Sequence, residues 1–210
     1  MNIPGRWGFC FEGNEAAFTN AVLYALRPGF VYLEIGIGRG DCLRSVSEIL
    51  EQTEHDDWRV FGVDVAEYNG DAVKPAYVPN LFGCVAVDSS TPPRSVSLHL
   101  TGSEHFFRLS KLKPHFTFID ACHCAKCPER EFLSVEPRVP VGGIVCFHDT
   151  CQPCQHQHAP QPCGGGIEVR SAVQKLGLLD GTRPGWRVFD ETQGQFPRSH
   201  GCLFVERIAD

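Results

Sequence analysis

Five short apolar segments recur along the first 150 residues, and they restrict the fold more than any other feature of the chain. They are Phe30–Ile35, Arg59–Asp64, Phe82–Asp88, His115–Asp120 and Gly143–Asp149. Continuous apolar runs of this length are typical of strands that are buried on both faces of a parallel sheet. Helical patterns separate most of them or follow the fifth, at about residues 41–53, 103–112, 128–137 and 166–177. This alternation predicts an α/β fold with helices on both faces of the sheet.

The two ends of the chain complete this pattern. Residues 14–26 have apolar groups at helical spacing and predict a helix within an N-terminal helical segment, residues 1–28. Gly185–Phe189 and Cys202–Arg207 predict an antiparallel pair of strands, which makes seven strands in all. The length of 210 residues suits a single domain, residues 1–210. Residues 151–165 are rich in Cys, His, Gln, Pro and Gly and are predicted to form a loop.

Composition and charge exclude several classes of protein. Hydrophobic residues make up 42% of the chain and charged residues 21%, as in ordinary globular proteins. The net charge is −6 and no basic stripe is visible, so a nucleic acid is not expected as a partner. No apolar run is long enough to cross a membrane, and no secretion signal is visible at the N-terminus. We therefore expect a cytoplasmic location and no membrane partner.

A glycine-rich turn follows the first predicted strand and begins a helix. Gly36, Gly38 and Gly40 would permit a tight turn, close approach of a ligand to the backbone and free N–H groups at the helix start. The spacing is G-x-G-x-G, with Glu34 two positions earlier, whereas dinucleotide-binding turns have G-x-G-x-x-G. This difference favours a nucleoside that carries an amino-acid tail over a pyrophosphate.

Acidic residues close the next two predicted strands. Asp64 ends the second strand, where a carboxylate can accept hydrogen bonds from both ribose hydroxyls. Asp88 and Ser89 end the third and are placed to contact the edge of an adenine. The alternative is that the glycines serve only the turn and the acids cap helices. Glu34, Asp64 and Asp88, each at a strand end, together favour the ligand site.

Four motifs now carry a resemblance to a known family: Leu33–Gly40, Phe61–Asp64, Phe118–Asp120 with His123, and Gly142–Asp149. The chain resembles the class I S-adenosylmethionine-dependent methyltransferases over about residues 14–207. More narrowly, it is similar to the macrocin-type sugar O-methyltransferases and their cephalosporin-hydroxylase-like relatives. The resemblance implies a Rossmann-like three-layer sandwich, with a seven-stranded, mostly parallel sheet and an antiparallel last strand. It implies S-adenosylmethionine as cofactor, and the candidate binding residues are Glu34, Gly36, Gly38, Gly40, Asp64, Asp88, Ser89 and Asp120.

A candidate reaction centre lies at the ends of the fourth and fifth predicted strands. Asp120, His148 and Asp149 would meet there, because ligands of open parallel sheets bind beyond the carboxyl ends of the strands. Two carboxylates and an imidazole suit a divalent cation, Mg²⁺ when waters and oxygens complete the shell. In the resembling sugar O-methyltransferases, acids at these strand ends hold a metal that binds the acceptor diol. The resemblance therefore implies Asp120, His148 and Asp149 as metal ligands.

His148 departs from that family, which tends to have a second acid at this position, and this leaves two readings open. In a metal-free site, His123 or His148 would act as general base and take the proton of the acceptor. The catalytic candidates are accordingly Asp120, His123 and His148. A histidine at a strand end can also serve only to bond the backbone.

The eleven cysteines are unevenly placed, with seven of them between Cys122 and Cys163. Cys124-x-x-Cys127 and Cys151-x-x-Cys154 are two pairs separated by 23 residues, and their loops are predicted to leave the same edge of the sheet. Four thiolates would form a structural zinc site. Substitutes for any of the four are Cys122, His156, His158 and Cys163. Scattered thiols or disulfides are the alternatives.

The sequence thus predicts a methyltransferase that uses S-adenosylmethionine to methylate a hydroxyl of a small acceptor such as a sugar. One alternative is an NAD-dependent oxidoreductase, which the glycine spacing disfavours. Another is a zinc-stabilised binding or scaffold protein that kept the fold without catalysis. The expected partner is a small-molecule acceptor, and the oligomeric state stays open, with a homodimer among the alternatives.

Overall fold

The computed structural model describes residues 13–38, 40–65, 67–68, 71–72, 93–151, 168–193 and 201–210. Its helices are α1 Glu15–Ala25, α2 Asp41–Glu51, α3 Ser103–Leu109, α4 Lys126–Val135 and α5 Val169–Lys175. Its strands are β1 Val31–Ile35, β2 Arg59–Asp64, β3 Glu67–Tyr68, β4 Asp71–Ala72, β5 Ser95–Leu100, β6 Phe116–Ile119, β7 Ile144–His148, β8 Trp186–Thr192 and β9 Cys202–Arg207. In these ranges no helix is both long enough and apolar enough to cross a membrane.

Seven strands form one sheet in the order β5-β2-β1-β6-β7-β9-β8. The first five of these pair in parallel, while β9 is antiparallel to both β7 and β8. This confirms the predicted seven-stranded, mostly parallel sheet with an antiparallel C-terminal strand. β3 and β4 form a separate antiparallel pair.

The third strand of the sheet is not where the sequence placed it. β5, Ser95–Leu100, pairs in parallel with β2, and the sequence analysis did not identify this segment as a strand. The segment predicted instead, Phe82–Asp88, lies outside the described residues. The reason lies in the side chains of β5: serine and histidine alternate with apolar residues along it, and its first half is only partly buried. A strand at the edge of a sheet needs no continuous apolar run. A prediction based on such runs therefore does not include β5.

The core has two parts, one on each face of the sheet, because successive side chains of a strand point to opposite faces. Val31, Leu33 and Ile35 of β1 belong to a cluster with apolar residues of α3, α4 and α5. Tyr32 belongs to the other cluster, with residues of α1 and α2. The molecule therefore has the predicted three layers. The parallel strands β1, β2, β5, β6 and β7 end at one edge of the sheet, which is where the predicted site residues lie.

Candidate active site

The glycine turn after β1 is in direct contact with the segment after β6. Gly36 has φ +88°, and a Cβ built at this position would lie 2.3 Å from the carbonyl oxygen of Asp120. Its N–H donates to the carbonyl oxygen of Val63, 2.8 Å away. Only glycine fits this combination of a left-handed conformation and a close backbone approach. The candidate cofactor turn and the candidate reaction centre are therefore neighbours.

Asp64 at the end of β2 holds the glycine turn. Its Oδ2 accepts hydrogen bonds from the N–H groups of Ile37 at 2.8 Å and Gly38 at 3.1 Å. Both bonds go to the same oxygen. The other oxygen, Oδ1, accepts no hydrogen bond from the described part of the chain. Asp64 is thus placed beside the turn with one carboxylate oxygen still able to accept. Its predicted contact with the ribose stays a prediction.

Glu34 lies beneath the turn rather than at its surface. Its side chain is buried, and the Tyr32 hydroxyl donates to its Oε2 over 3.0 Å. The same hydroxyl lies 3.3 Å from the Cys42 sulfur. Burial raises the pKa of the Glu34 carboxyl well above its usual value, and the hydrogen bond from Tyr32 opposes this rise. The geometry gives Glu34 a supporting position, and its contact with the cofactor stays a prediction.

The residues predicted to meet the adenine, Asp88 and Ser89, lie outside the described residues. The strand next to Asp64 is β5, and the chain after it is Thr101, Gly102 and Ser103. The N–H of Thr101 donates to the carbonyl oxygen of Asp64 over 2.7 Å. These three residues therefore lie beside Asp64, while the contact of Asp88 and Ser89 with the adenine stays a prediction. The alternation of polar and apolar residues along Ser95–Leu100 is the signal that could have located them.

The ends of β6 and β7 bring the predicted reaction centre together. Asp120 follows β6, and its Oδ1 lies 2.9 Å from Nδ1 of His148, the last residue of β7. The same nitrogen is 3.3 Å from Oδ1 of Asp149. Asp149 has φ +60°, which is uncommon for a residue other than glycine. The predicted convergence of Asp120, His148 and Asp149 is present in the structure.

His123 completes this cluster. Its Nε2 lies 3.0 Å from Oδ2 of Asp149 and 3.4 Å from Oδ1 of Asp120. One side-chain atom from each of Asp120, His123 and Asp149 can be chosen so that all three lie within 4.8 Å of one another. His148 is buried below them and is not part of this set. Asp120, His123 and Asp149 could therefore hold a divalent cation together, and the role of His148 as a metal ligand stays a prediction.

The carboxylates of the cluster favour the protonated form of both histidines. Burial opposes a charge on His123, but hydrogen bonds to Asp120 and Asp149 and their charges outweigh it and raise its pKa to about 10. Burial is likewise outweighed at His148, where the same two carboxylates raise the pKa well above its usual value. For Asp120, burial raises the pKa but the two histidines lower it further. A protonated His123 has no lone pair on Nε2, so a proton and a metal cation exclude each other at this atom.

The cysteines do not assemble as the sequence analysis predicted. The structure brings Cys122, Cys124 and Cys127 together. Cys151 is buried and disulfide-bonded, with a partner outside the described residues. A disulfide sulfur is not a thiolate, so Cys151 is not available to the predicted zinc site of Cys124, Cys127, Cys151 and Cys154. Cys154 itself lies outside the described residues.

Solved structures with this fold include several methyltransferases. The O-methyltransferase TomG from Streptomyces achromogenes, in complex with S-adenosylmethionine, is 15% identical, covers 93% of this chain and 80% of its own, and gives a TM-score of 0.60. An O-methyltransferase from Bacillus cereus with S-adenosylhomocysteine is 14% identical, at 95% and 83% coverage and a TM-score of 0.59. MycE of the mycinamycin pathway, with Mg and S-adenosylhomocysteine, is 15% identical with a TM-score of 0.54. This chain covers 49% of MycE, and 92% of this chain is matched. At these identities the likeness shows the fold.

The sequence itself gives the family. No curated protein matches the chain. A family model described as "Methyltransferase domain" matches residues 33–150, which is more than half of the chain and includes the glycine turn, Asp64, Asp120 and His148–Asp149. The resemblance to class I methyltransferases is confirmed by this match and by the sheet order. The chain belongs to the methyltransferase domain family and is an S-adenosylmethionine-dependent methyltransferase.

Proposed function

We propose that this methyltransferase transfers the methyl group to a hydroxyl of a small acceptor at the cluster of Asp120, His123, His148 and Asp149. The observation that carries the proposal is the contact between Gly36 and the backbone of Asp120, which joins the cofactor turn to two carboxylates and two imidazoles. The fold places ligands at this edge. The net charge of −6 supports a small acceptor over a nucleic acid, and the expected location remains the cytoplasm.

The chemistry requires alignment and a proton acceptor. S-adenosylmethionine supplies a methyl group that is already electrophilic. A lone pair of the acceptor oxygen forms the new C–O bond, the C–S bond breaks with its electron pair going to sulfur, and the hydroxyl proton leaves to a base. Asp120 and Asp149 are carboxylates within reach of the same space as His123, and either can accept that proton. The protein's main task is to hold the hydroxyl in line with the methyl group.

A divalent cation fits the same cluster. Asp120, His123 and Asp149 would hold it, in keeping with the hard oxygen donors and single imidazole that they offer. Such a cation would lower the pKa of an acceptor hydroxyl bound to it. His148 lies below and, through its 2.9 Å contact with Asp120, would fix the orientation of that carboxylate. The Mg in the MycE complex supports this variant of the proposal.

Asp149→Asn is the most informative variant, because asparagine tolerates the left-handed conformation of this residue while removing its charge. We expect methyl transfer from labelled S-adenosylmethionine to the best acceptor in a panel of sugars and phenols to fall by about 100-fold or more. Affinity for S-adenosylhomocysteine should stay within about twofold, as measured by calorimetry, since Asp149 serves the acceptor. Unchanged transfer would contradict the placement of the reaction centre, and label that enters RNA would contradict the acceptor class.

Thermal shift and chelation separate the remaining alternatives. S-adenosylhomocysteine should raise the melting temperature and NAD should not, because the glycine spacing suits the former. EDTA should abolish transfer and Mg²⁺ or Mn²⁺ should restore it if the cation takes part. Binding of S-adenosylhomocysteine without transfer to any acceptor of the panel would favour the scaffold alternative.

A further inference from the structure

Three thiols lie together beside the reaction centre without belonging to it. The sulfur of Cys124 is 3.4 Å from that of Cys122 and 3.6 Å from that of Cys127. All three sulfurs lie within 4.8 Å of one another, and none of the three residues is disulfide-bonded. Cys124 is buried and the other two are partly buried. The segment thus concentrates three soft ligand atoms at one place that water reaches only in part.

The spacing of the sulfurs matches a metal site. Zinc–sulfur bonds of about 2.3 Å at tetrahedral angles place two sulfurs about 3.8 Å apart. The separations of Cys124 from Cys122 and from Cys127, 3.4 and 3.6 Å, are slightly shorter than this edge. Three sulfurs at such distances form one face of a tetrahedron, so that a site for Zn²⁺ needs only a fourth ligand. Thiolates are the ligands that select zinc over the hard cations expected at the carboxylate cluster.

Glu131 on α4 is the candidate for the fourth ligand, and its carboxylate, which lies outside the set of atoms within 4.8 Å of one another, would have to turn toward the sulfurs. It lies four residues after Cys127 on α4 and therefore on the same side of the helix. Its side chain is only 4% exposed, and its Oε2 has no hydrogen-bonding partner in the described part of the chain. Burial of a polar atom without a hydrogen-bonding partner costs free energy, and a bound ion can supply the missing partner.

We propose that Cys122, Cys124 and Cys127 bind a zinc ion, with the carboxylate of Glu131 as the fourth ligand. This set replaces the one predicted with Cys151 and Cys154. The site needs no other part of the chain than the loop after β6 and the first two turns of α4. It is chemically distinct from the carboxylate–imidazole cluster, because its donors are soft.

The zinc site also acts on the reaction centre through the chain. His123 lies between Cys122 and Cys124, so two ligands of the metal would fix the backbone on both sides of it. The ring of His123 has to stay 3.0 Å from Asp149 to serve the cluster. The zinc ion is thus a positioning device for His123, and this role, unlike the site itself, rests on the proposed function.

The site is tested by metal content and by cobalt spectroscopy. Protein purified without added metal should contain about one zinc equivalent that Cys124→Ser removes. Cys146→Ser is the matched control, since Cys146 is equally buried but lies in β7 and outside the cluster. With Co²⁺ in place of zinc, the wild type should show sulfur-to-cobalt charge-transfer absorption of a tetrahedral thiolate site, and Cys127→Ser should weaken it. Glu131→Gln should keep the thiolate bands and bind the metal at least tenfold more weakly.

Two results would overturn the proposal. The first is a folded wild-type protein with less than half an equivalent of zinc whose thiols all react with a thiol reagent. The second is zinc content that Cys124→Ser and Cys127→Ser leave unchanged. Should Cys124→Ser fail to fold, Cys127→Ser, at the partly exposed start of α4, is the deciding variant. Its affinity for zinc is measured by competition with a chromophoric chelator. These measurements need no methyl transfer, so they fail or succeed separately from the proposed function. The positioning role is refuted if zinc-free Cys127→Ser binds S-adenosylhomocysteine and transfers methyl groups at the wild-type rate.

Discussion

His115 shows how one partly buried side chain can join two strands. It precedes β6, and its Nδ1 accepts a hydrogen bond of 3.0 Å from the N–H of Val31 in β1. Its ring stacks on Phe30 with the ring centres 6.0 Å apart. Burial, helped by the charge of Arg27, lowers the pKa of His115 to about 4. The hydrogen bond requires a neutral ring that has a lone pair on Nδ1.

This environment makes the stability of the fold depend on pH. Between about pH 6.5 and pH 4 the unfolded chain takes up a proton at His115 that the folded chain does not, so the free energy of unfolding falls as the pH is lowered through this range. His115→Asn keeps an acceptor for Val31 but cannot titrate. Urea unfolding at pH 7 and pH 4.5 should therefore show a larger loss for the wild type than for His115→Asn. Equal losses would mean that His115 does not carry this dependence.

Gly36 and Gly38 form a matched pair for testing the glycine turn. Both have positive φ, +88° and +53°, but a Cβ at Gly38 would meet nothing within 4 Å, whereas one at Gly36 would strike the backbone at Asp120. We expect Gly38→Ala to lower the free energy of unfolding by about 1 kcal/mol from the backbone conformation alone. Gly36→Ala should cost more than about 3 kcal/mol, because strain and a clash add. Equal losses in chemical unfolding would contradict the close approach.

Individual site residues differ in how far the sequence could predict them. Asp120, His148 and Asp149 were predicted because they end apolar strands, and strand ends meet at one edge whatever the details of packing. His123 was predicted as a catalytic candidate, but the distances from its ring to Asp120 and Asp149 were not predictable, since they depend on the loop after β6 and not on a strand. The burial of Glu34 was not predicted, because an acid at a strand end is typical of a ligand-binding residue. Its neighbours Tyr32 and Cys42 lie on β1 and α2, and only the packing of these two elements brings them together.

At the scale of elements, Glu136 joins α4 to the start of β8. It follows the last residue of α4 and accepts hydrogen bonds from Nε of Arg183 at 2.9 Å and from Nε1 of Trp186 at 3.0 Å. Arg183 also binds it through Nη2 and lies over the ring of Phe132. The Glu136 and Arg183 side chains are 20% and 26% exposed. Hydrogen bonds to a charged, largely buried group are the stronger kind.

We therefore expect Glu136→Gln to lower the free energy of unfolding by about 2 kcal/mol. Glu129→Gln is its control. The Glu129 carboxylate, on α4, also pairs with a cation, Lys175, but the side chain of that lysine is 68% exposed. An exposed pair of this kind contributes less than about 1 kcal/mol. Guanidinium unfolding of both variants measures the difference. A loss at Glu129 as large as that at Glu136 would show that burial does not decide the strength of these pairs.

The strands of the sheet show which elements can be predicted from sequence. β1, β6 and β7 are buried along their whole length and read as continuous apolar runs. β5 is partly exposed at the edge, where Ser95 and Ser97 are tolerated, and so it lacks that pattern. The antiparallel pair β8 and β9 was predicted because it lies at the end of the chain with one long connection. The sequence thus predicts the fully buried strands most directly, because burial on both faces produces a continuous apolar run.

For the whole molecule, the parallel sheet has two unlike ends. Its carboxyl edge carries the glycine turn, Asp64, the reaction centre and the proposed zinc site. The opposite edge is closed by Arg27, whose Nη2 donates to the carbonyl oxygen of Gly142 over 2.7 Å. Arg207 bonds the carbonyl oxygens of Glu136 and Val139 near the same end. The candidate cofactor and acceptor sites are therefore at one edge, while the contacts described at the other edge are hydrogen bonds to backbone carbonyl oxygens.

This polarity predicts where S-adenosylhomocysteine will slow hydrogen exchange. At a concentration of 100 times Kd a ligand stabilises the bound state by about 2.7 kcal/mol. Amides that exchange only when the site opens, in residues 36–41 and 120–125, should then slow by about 100-fold. Amides of residues 139–143, at the opposite edge, can exchange through local opening that leaves the ligand bound. The exchange rates of such amides should change little. Mass spectrometry of peptides with and without the ligand measures both regions. Equal protection at the two edges, or protection only at residues 139–143, would place the cofactor elsewhere than on the glycine turn.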